Sequence, residues 1–371
     1  MSPTAPLPRM CTRFALAALL LVLAAVAAAP PAAAHGGGGG DATNWRSEIT
    51  SEARAGLRWR VIGGDNLLEL RNTSGREVTV PGYRGEPYLR FLPDRGVLEN
   101  RRSPAVALNQ DRLGRTDPPD GADPEAPPEW RQVADGDSFS WHDHRIHWMS
   151  AADPRVVDAD RSRTHEVLRW QVPYQLAADD GAPEEGALSG RLLWEPPPPW
   201  WPWVAAGLVL VSLPLLAAVG SRPAGARWPR LARPVTAVLL VIVGAEAVHV
   251  VDDLTAVPAS SGEAALTAVS GGLVVLLVAG LAWRASRADA AGFLALGTAG
   301  AVLALNGKTH AGVLTSSTLA TGLPEGFTRL LVAASICAVV PAILAAVLAE
   351  RRFGTFFGRL RPDEHELASS S

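Results

Sequence analysis

Cysteine is nearly absent: Cys11 precedes the first apolar run of the chain and Cys337 lies inside the last. No disulfide can therefore staple the long segment between them, and no cysteine there can bind a metal. Lysine is scarcer still, with Lys308 alone against a large arginine count, a bias of the kind a GC-rich genome produces. A net charge of -3 over 371 residues is too small to imply a nucleic-acid partner. Enzyme signatures are missing too. There is no nucleotide-binding glycine loop, no Gly-x-Ser-x-Gly elbow and no His-Glu-x-x-His helix, so a non-enzymatic role is expected. No internal repeat of fixed period occurs, and the length allows two or three domains.

Long apolar runs, by contrast, are abundant. Arg9 and Arg13 precede an apolar run over 14–29 and the small residues Ala32, Ala33 and Ala34. That order predicts a secretory signal peptide over 1–34, with His35 as the first mature residue. Five further runs lie at about 201–219, 235–251, 264–283, 290–312 and 330–349. Each approaches the ~20 residues a transmembrane helix needs, so an all-α bundle of five transmembrane helices is expected over 201–349. Arg222, Arg227, Arg230 and Arg233 fall in one connection, Arg284 and Arg287 in another, and Arg351, Arg352, Arg359 and Arg361 after the last run. The positive-inside rule places these segments, and the tail over 350–371, in the cytoplasm. The N-terminal part then lies outside, in agreement with the signal peptide. A proline-rich linker over 196–200 joins the two parts, and Trp200, Trp201 and Trp203 mark an interface with the lipid bilayer.

The exported part, 35–195, alternates with a period of two. Leu57, Trp59 and Val61 interleave with arginines, Leu68 and Leu70 follow a Gly63-Gly64-Asp65 turn, and Val78 and Val80 follow Ser74-Gly75. Leu168, Trp170 and Val172, and later Leu188, Leu192 and Trp194, continue the pattern. The expectation is an exported all-β antiparallel sandwich of Ig-like type. The acidic, proline-rich stretch 117–128 reads as a solvated loop.

Two polar clusters stand out. Three of the eight histidines fall in Trp141-His142-Asp143-His144-Arg145-Ile146-His147-Trp148. On a strand, His142 and His144 would share a face about 6.5–7 Å apart. His147 would join them through a turn or bulge, and His35 would add an amine and an imidazole. This set reads as a metal site for copper or zinc, with Met149 as a soft extra ligand. The alternative is that these histidines hydrogen-bond across a loop. The second cluster is intramembrane: Glu246, His249 and Asp253 share a helix face in the second run. Lys308 and His310, near Asn306, end the fourth run on the same side. Ionisable groups at such depth pair with one another or line a cavity; the alternative is that they snorkel to the interface and cap the helix ends, beyond the hydrocarbon.

The layout resembles that of uncharacterised bacterial multipass membrane proteins with an exported β-domain. Leu168-Arg169-Trp170-Gln171-Val172-Pro173 and Gly190-Arg191-Leu192-Leu193-Trp194 resemble the last strands of CopC-type copper-resistance domains. Those domains also begin with a mature histidine, which His35 matches, and the resemblance implies copper handling. They carry a ligand histidine just before the final strand, whereas 177–190 contains none. The expected role is a plasma-membrane protein of the bacterial envelope whose outer domain binds or senses a metal, copper first. The alternatives are an envelope scaffold with a protein partner and structural histidines, and a transporter or enzyme working at the intramembrane cluster.

Overall fold

The computed structural model describes residues 42–94, 96–110, 113–178, 180–220, 229–256, 261–287, 290–341 and 344. The expected signal peptide, His35 and the cytoplasmic tail lie outside them. An antiparallel β-domain of ten strands in two sheets comes first, and a helical region follows. The strands are β1 (Trp45–Ile49), β2 (Leu57–Ile62), β3 (Leu67–Asn72), β4 (Val78–Pro81), β5 (Pro87–Phe91), β6 (Val97–Asn100), β7 (Trp130–Ala134), β8 (Ser138–Trp141), β9 (His165–Leu176) and β10 (Glu184–Trp194). Two short helices interrupt them, α1 (Ala105–Leu108) and α2 (Arg155–Ala159). One sheet runs β1-β10-β9-β4-β5-β6-β7 and the other β2-β3-β8. This seven-and-three division differs from the four-and-three division of a constant-type Ig domain.

The alternating residues explain the layering. Leu57, Leu68 and Leu70 of the small sheet are buried against Val80, Phe91, Val172 and Leu192 of the large one, in a single core. Trp141 sits within it, 6.2 Å from the rings of both Phe91 and Trp59. β9 and β10 form a long hairpin whose register runs from Leu176 opposite Glu184 to His165 opposite Trp194. The turn after β2 contains Gly64 at φ +78°, where a Cβ would lie 2.5 Å from the Trp45 carbonyl oxygen and 3.0 Å from Thr318. Only glycine fits there, because the backbone has positive φ and packs against the chain at Thr43 and Trp45, with Thr318 beside it.

The helical region holds α3 (Trp201–Gly220), α4 (Pro229–Ala256), α5 (Ser261–Ala285), α6 (Ala290–Thr309) and α7 (Glu325–Cys337). Neighbours in sequence pack together, and α7 packs on α3 as well as on α6. Gly207 of α3 permits that last contact, since a Cβ would come 2.7 Å from the backbone of Ala333. The expectation of five spans requires correction. Among the described residues, two helices are long and apolar enough to cross a membrane, Arg233–Ala256 and Ala265–Ala285. α6 ends in the polar Asn306, Lys308 and Thr309. α7 has 13 residues and carries Glu325 and Arg329 in its first turns. Helix resumes at 339–341, and most of the rest of the fifth apolar run lies outside the described residues.

The two parts touch. Thr43 and Thr318 exchange backbone hydrogen bonds of 2.9 and 2.8 Å, and the Ser317 amide donates to Asn44 Oδ1 at 2.9 Å. Ile62 and Leu67, flanking the Gly64 turn, pack on Ala256 at the end of α4 and on Ala320.

Candidate functional site

The histidine segment departs from the expected strand. β8 stops at Trp141, and His144–Ile146 forms a 3-10 turn. Asp143 causes the break: its Oδ1 accepts from the Arg145 amide at 3.1 Å and caps the turn. The same buried carboxylate accepts from Trp141 Nε1 at 2.9 Å and from the Arg145 guanidinium at 2.7 and 2.6 Å. Burial is the strongest influence and opposes its ionisation, but Arg145 and the Trp141 indole together hold the carboxyl below its ordinary value. His142 and His144 therefore do not share a strand face. His142 is buried with Nδ1 2.8 Å from the Asn66 carbonyl oxygen. His144 stacks on Tyr83 at 5.6 Å. The His147 side chain is fully buried, with Nδ1 3.3 Å from Asp65 Oδ2 and neither ring nitrogen hydrogen-bonded. The three rings still adjoin, His147 lying 6.2 Å from His142 and 6.3 Å from His144.

The second cluster sits where the β-domain meets the helices. On α4, Glu246 is buried between two neighbours: Ser335 donates to its Oε1 at 2.6 Å and Asn306 to its Oε2 at 3.2 Å. Three helices, α4, α6 and α7, are thus joined through one carboxylate. One turn further along α4 comes His249, 6 % exposed, whose ring nitrogens make no hydrogen bond. Its ring centroid lies 5.5 Å from that of His310, edge to face, and Nδ1 lies 3.7 Å from Asp253 Oδ1. Lys308 lies two residues before His310 in the last turn of α6.

Asp252 completes the group and was not singled out in the sequence. The i+3 spacing from His249 was there to be seen, but its partners are remote: Thr321 Oγ1 donates to it at 2.5 Å and the Gly322 amide at 2.9 Å. His249, Asp252 and Asp253 each offer a ligand atom, and these atoms all lie within 4.8 Å of one another. One imidazole and two carboxylates, with a second imidazole adjacent, form a nitrogen–oxygen donor set. Such a set suits Zn(II) and other borderline divalent ions rather than Cu(I), which prefers sulfur. Thr321 and Gly322 would orient the Asp252 carboxylate, as outer-shell partners of metal ligands do. Comparisons of the chain with family models, curated proteins and solved structures find no match.

Proposed function

We propose that this chain is a non-enzymatic membrane protein of the cell envelope that binds a divalent metal ion, zinc foremost, at His249, Asp252 and Asp253, with His310 alongside. One observation carries the reading: three potential ligand atoms converge within 4.8 Å around a buried histidine whose ring nitrogens have no hydrogen-bond partner. An unmade hydrogen bond to a buried polar group costs about 1–3 kcal/mol. Coordination would relieve that cost. In this reading the β-domain lies outside the membrane and α3, α6 and α7 complete a bundle with the two long apolar helices, α5 lying at its edge. Val241, Leu266 and Leu276, 70, 70 and 71 % exposed, fit lipid contact. The ion is passed on or sensed at the outer end of the bundle.

The β-domain supports a second reading, in which copper or zinc is held by His142, His144 and His147, with His35 completing the set. The adjoining rings and the unsatisfied nitrogens of His147 favour it. The test is isothermal titration of the full chain, purified in detergent and stripped with chelator, with Zn(II), Mn(II) and Cu(II). The proposal expects one zinc site that weakens at least tenfold in His249→Ala and Asp252→Asn and is unchanged in His142→Ala/His144→Ala. Loss only in the latter pair moves the metal to the β-domain. No binding by a folded wild type favours a scaffold role.

A further inference from the structure

The segment between the 3-10 turn Ala311–Leu314 and α7 touches both halves of the molecule within a few residues. Its first part belongs to the β-domain interface. Ser317 donates to Asn44, and Thr318 exchanges two backbone hydrogen bonds with Thr43. Ala320 then packs against Ile62 and Leu67. The next two residues, Thr321 and Gly322, donate to Asp252. Three peptide units separate Thr318 from Thr321, a reach of at most about 11 Å. The start of the segment is clamped from the other side by buried Arg329 of α7, which donates to the carbonyls of Val313 at 2.5 Å and Ser317 at 3.4 Å. A second link runs through α4 itself. Ala256, which Ile62 and Leu67 cover, lies one helical turn after Asp252 on the same face.

Resting on the metal reading above, we propose that docking of the β-domain regulates the affinity of that site through this segment. When the domain is seated, Thr43, Asn44 and the Ile62/Leu67 pair hold 317–320 in one conformation, and Thr321 and Gly322 fix the Asp252 carboxylate toward His249 and Asp253. When the domain lifts, the segment loses its outer anchor and Asp252 loses its orienting donors. Removal of outer-shell donors typically weakens metal binding about 10–100-fold. The coupling is reciprocal, so a bound ion strengthens docking by the same factor. The exported domain is in this sense a sensor arm: whatever displaces it from the bundle releases the ion.

The experiment uses the full chain in detergent, with zinc as the probe. Asn44→Ala/Ile62→Asp removes two docking contacts and leaves every proposed ligand and both Asp252 donors in place. The expected result is zinc affinity at least tenfold weaker than wild type, together with faster amide exchange over 316–322. Equal affinity in variant and wild type overturns the coupling while the metal site stands. Absence of zinc binding in wild type removes the site and the coupling with it. Should the variant misfold, wild type decides alone. Zinc must then slow exchange at the Thr43 and Thr318 amides, which lie outside the ligand set, and unchanged exchange there overturns the proposal.

Discussion

Replacing Arg145 by methionine isolates the ion pair that the buried Asp143 makes in the β-domain. The substitution keeps most of the side chain's length and removes the guanidinium. Asp143 is fully buried and receives four hydrogen bonds, two from that guanidinium. The variant leaves its carboxylate with the Trp141 indole and one backbone amide only. Breaking a buried pair by deleting one partner costs about 3–5 kcal/mol, because the remaining charge stays buried. The pH dependence carries a definite sign. In wild type the Asp143 carboxyl is held below its ordinary value, so its stabilisation is present above an unfolded pKa near ~3.9 and is lost as pH falls through the folded value. In the variant burial, the largest contribution, is opposed only by the Trp141 indole and one backbone amide, and the folded value rises above the unfolded one. Stability is then lost as pH rises, and the deficit against wild type should shrink as pH approaches ~4. Asp143→Asn in the same background should recover part of the loss. Denaturant unfolding followed by tryptophan fluorescence at several pH values reads all three. A deficit below about 1 kcal/mol at pH 7, or one that grows toward pH 4, would refute the reasoning.

Two further outcomes follow from the architecture. The segment 42–195 should fold alone, without metal or disulfide, since its core unites both sheets and about 150 residues suffice for one core; helix-dominated circular dichroism of that segment would contradict this. Reporter fusions should read cytoplasmic after Ser371 and external at Ser260, following the arginine asymmetry, and a cytoplasmic signal at Ser260 would invert the proposed orientation.

The strands with clean alternation were legible: β2, β3, β4, β9 and β10 occur where Leu57, Leu68, Val78, Leu168 and Leu188 begin their patterns. β5 and β6 carry no legible alternation because they are short, with a proline opening β5, and β7 carries none because its middle residues are exposed at the sheet edge. β8 was hidden in the histidine segment. The histidine spacing suits a strand, but β8 ends at Trp141 and Asp143 caps the 3-10 turn that follows. The helical half announced itself by apolar runs, but run length alone could not weigh the polar end of α6 or the charged start of α7. The face of α4 was readable from the spacing of Glu246, His249 and Asp253. Asp252 acquires its place from Thr321 and Gly322, some 70 residues on, and no local pattern announces a contact of that range.

The central claim is a metal ion at the outer end of the helix bundle. The most direct test is elemental analysis of the full chain after zinc loading and desalting, run beside His249→Ala prepared identically. The account predicts close to one zinc per chain in wild type and close to none in the variant, with both proteins folded. Equal zinc in the two, or none in either, would contradict it.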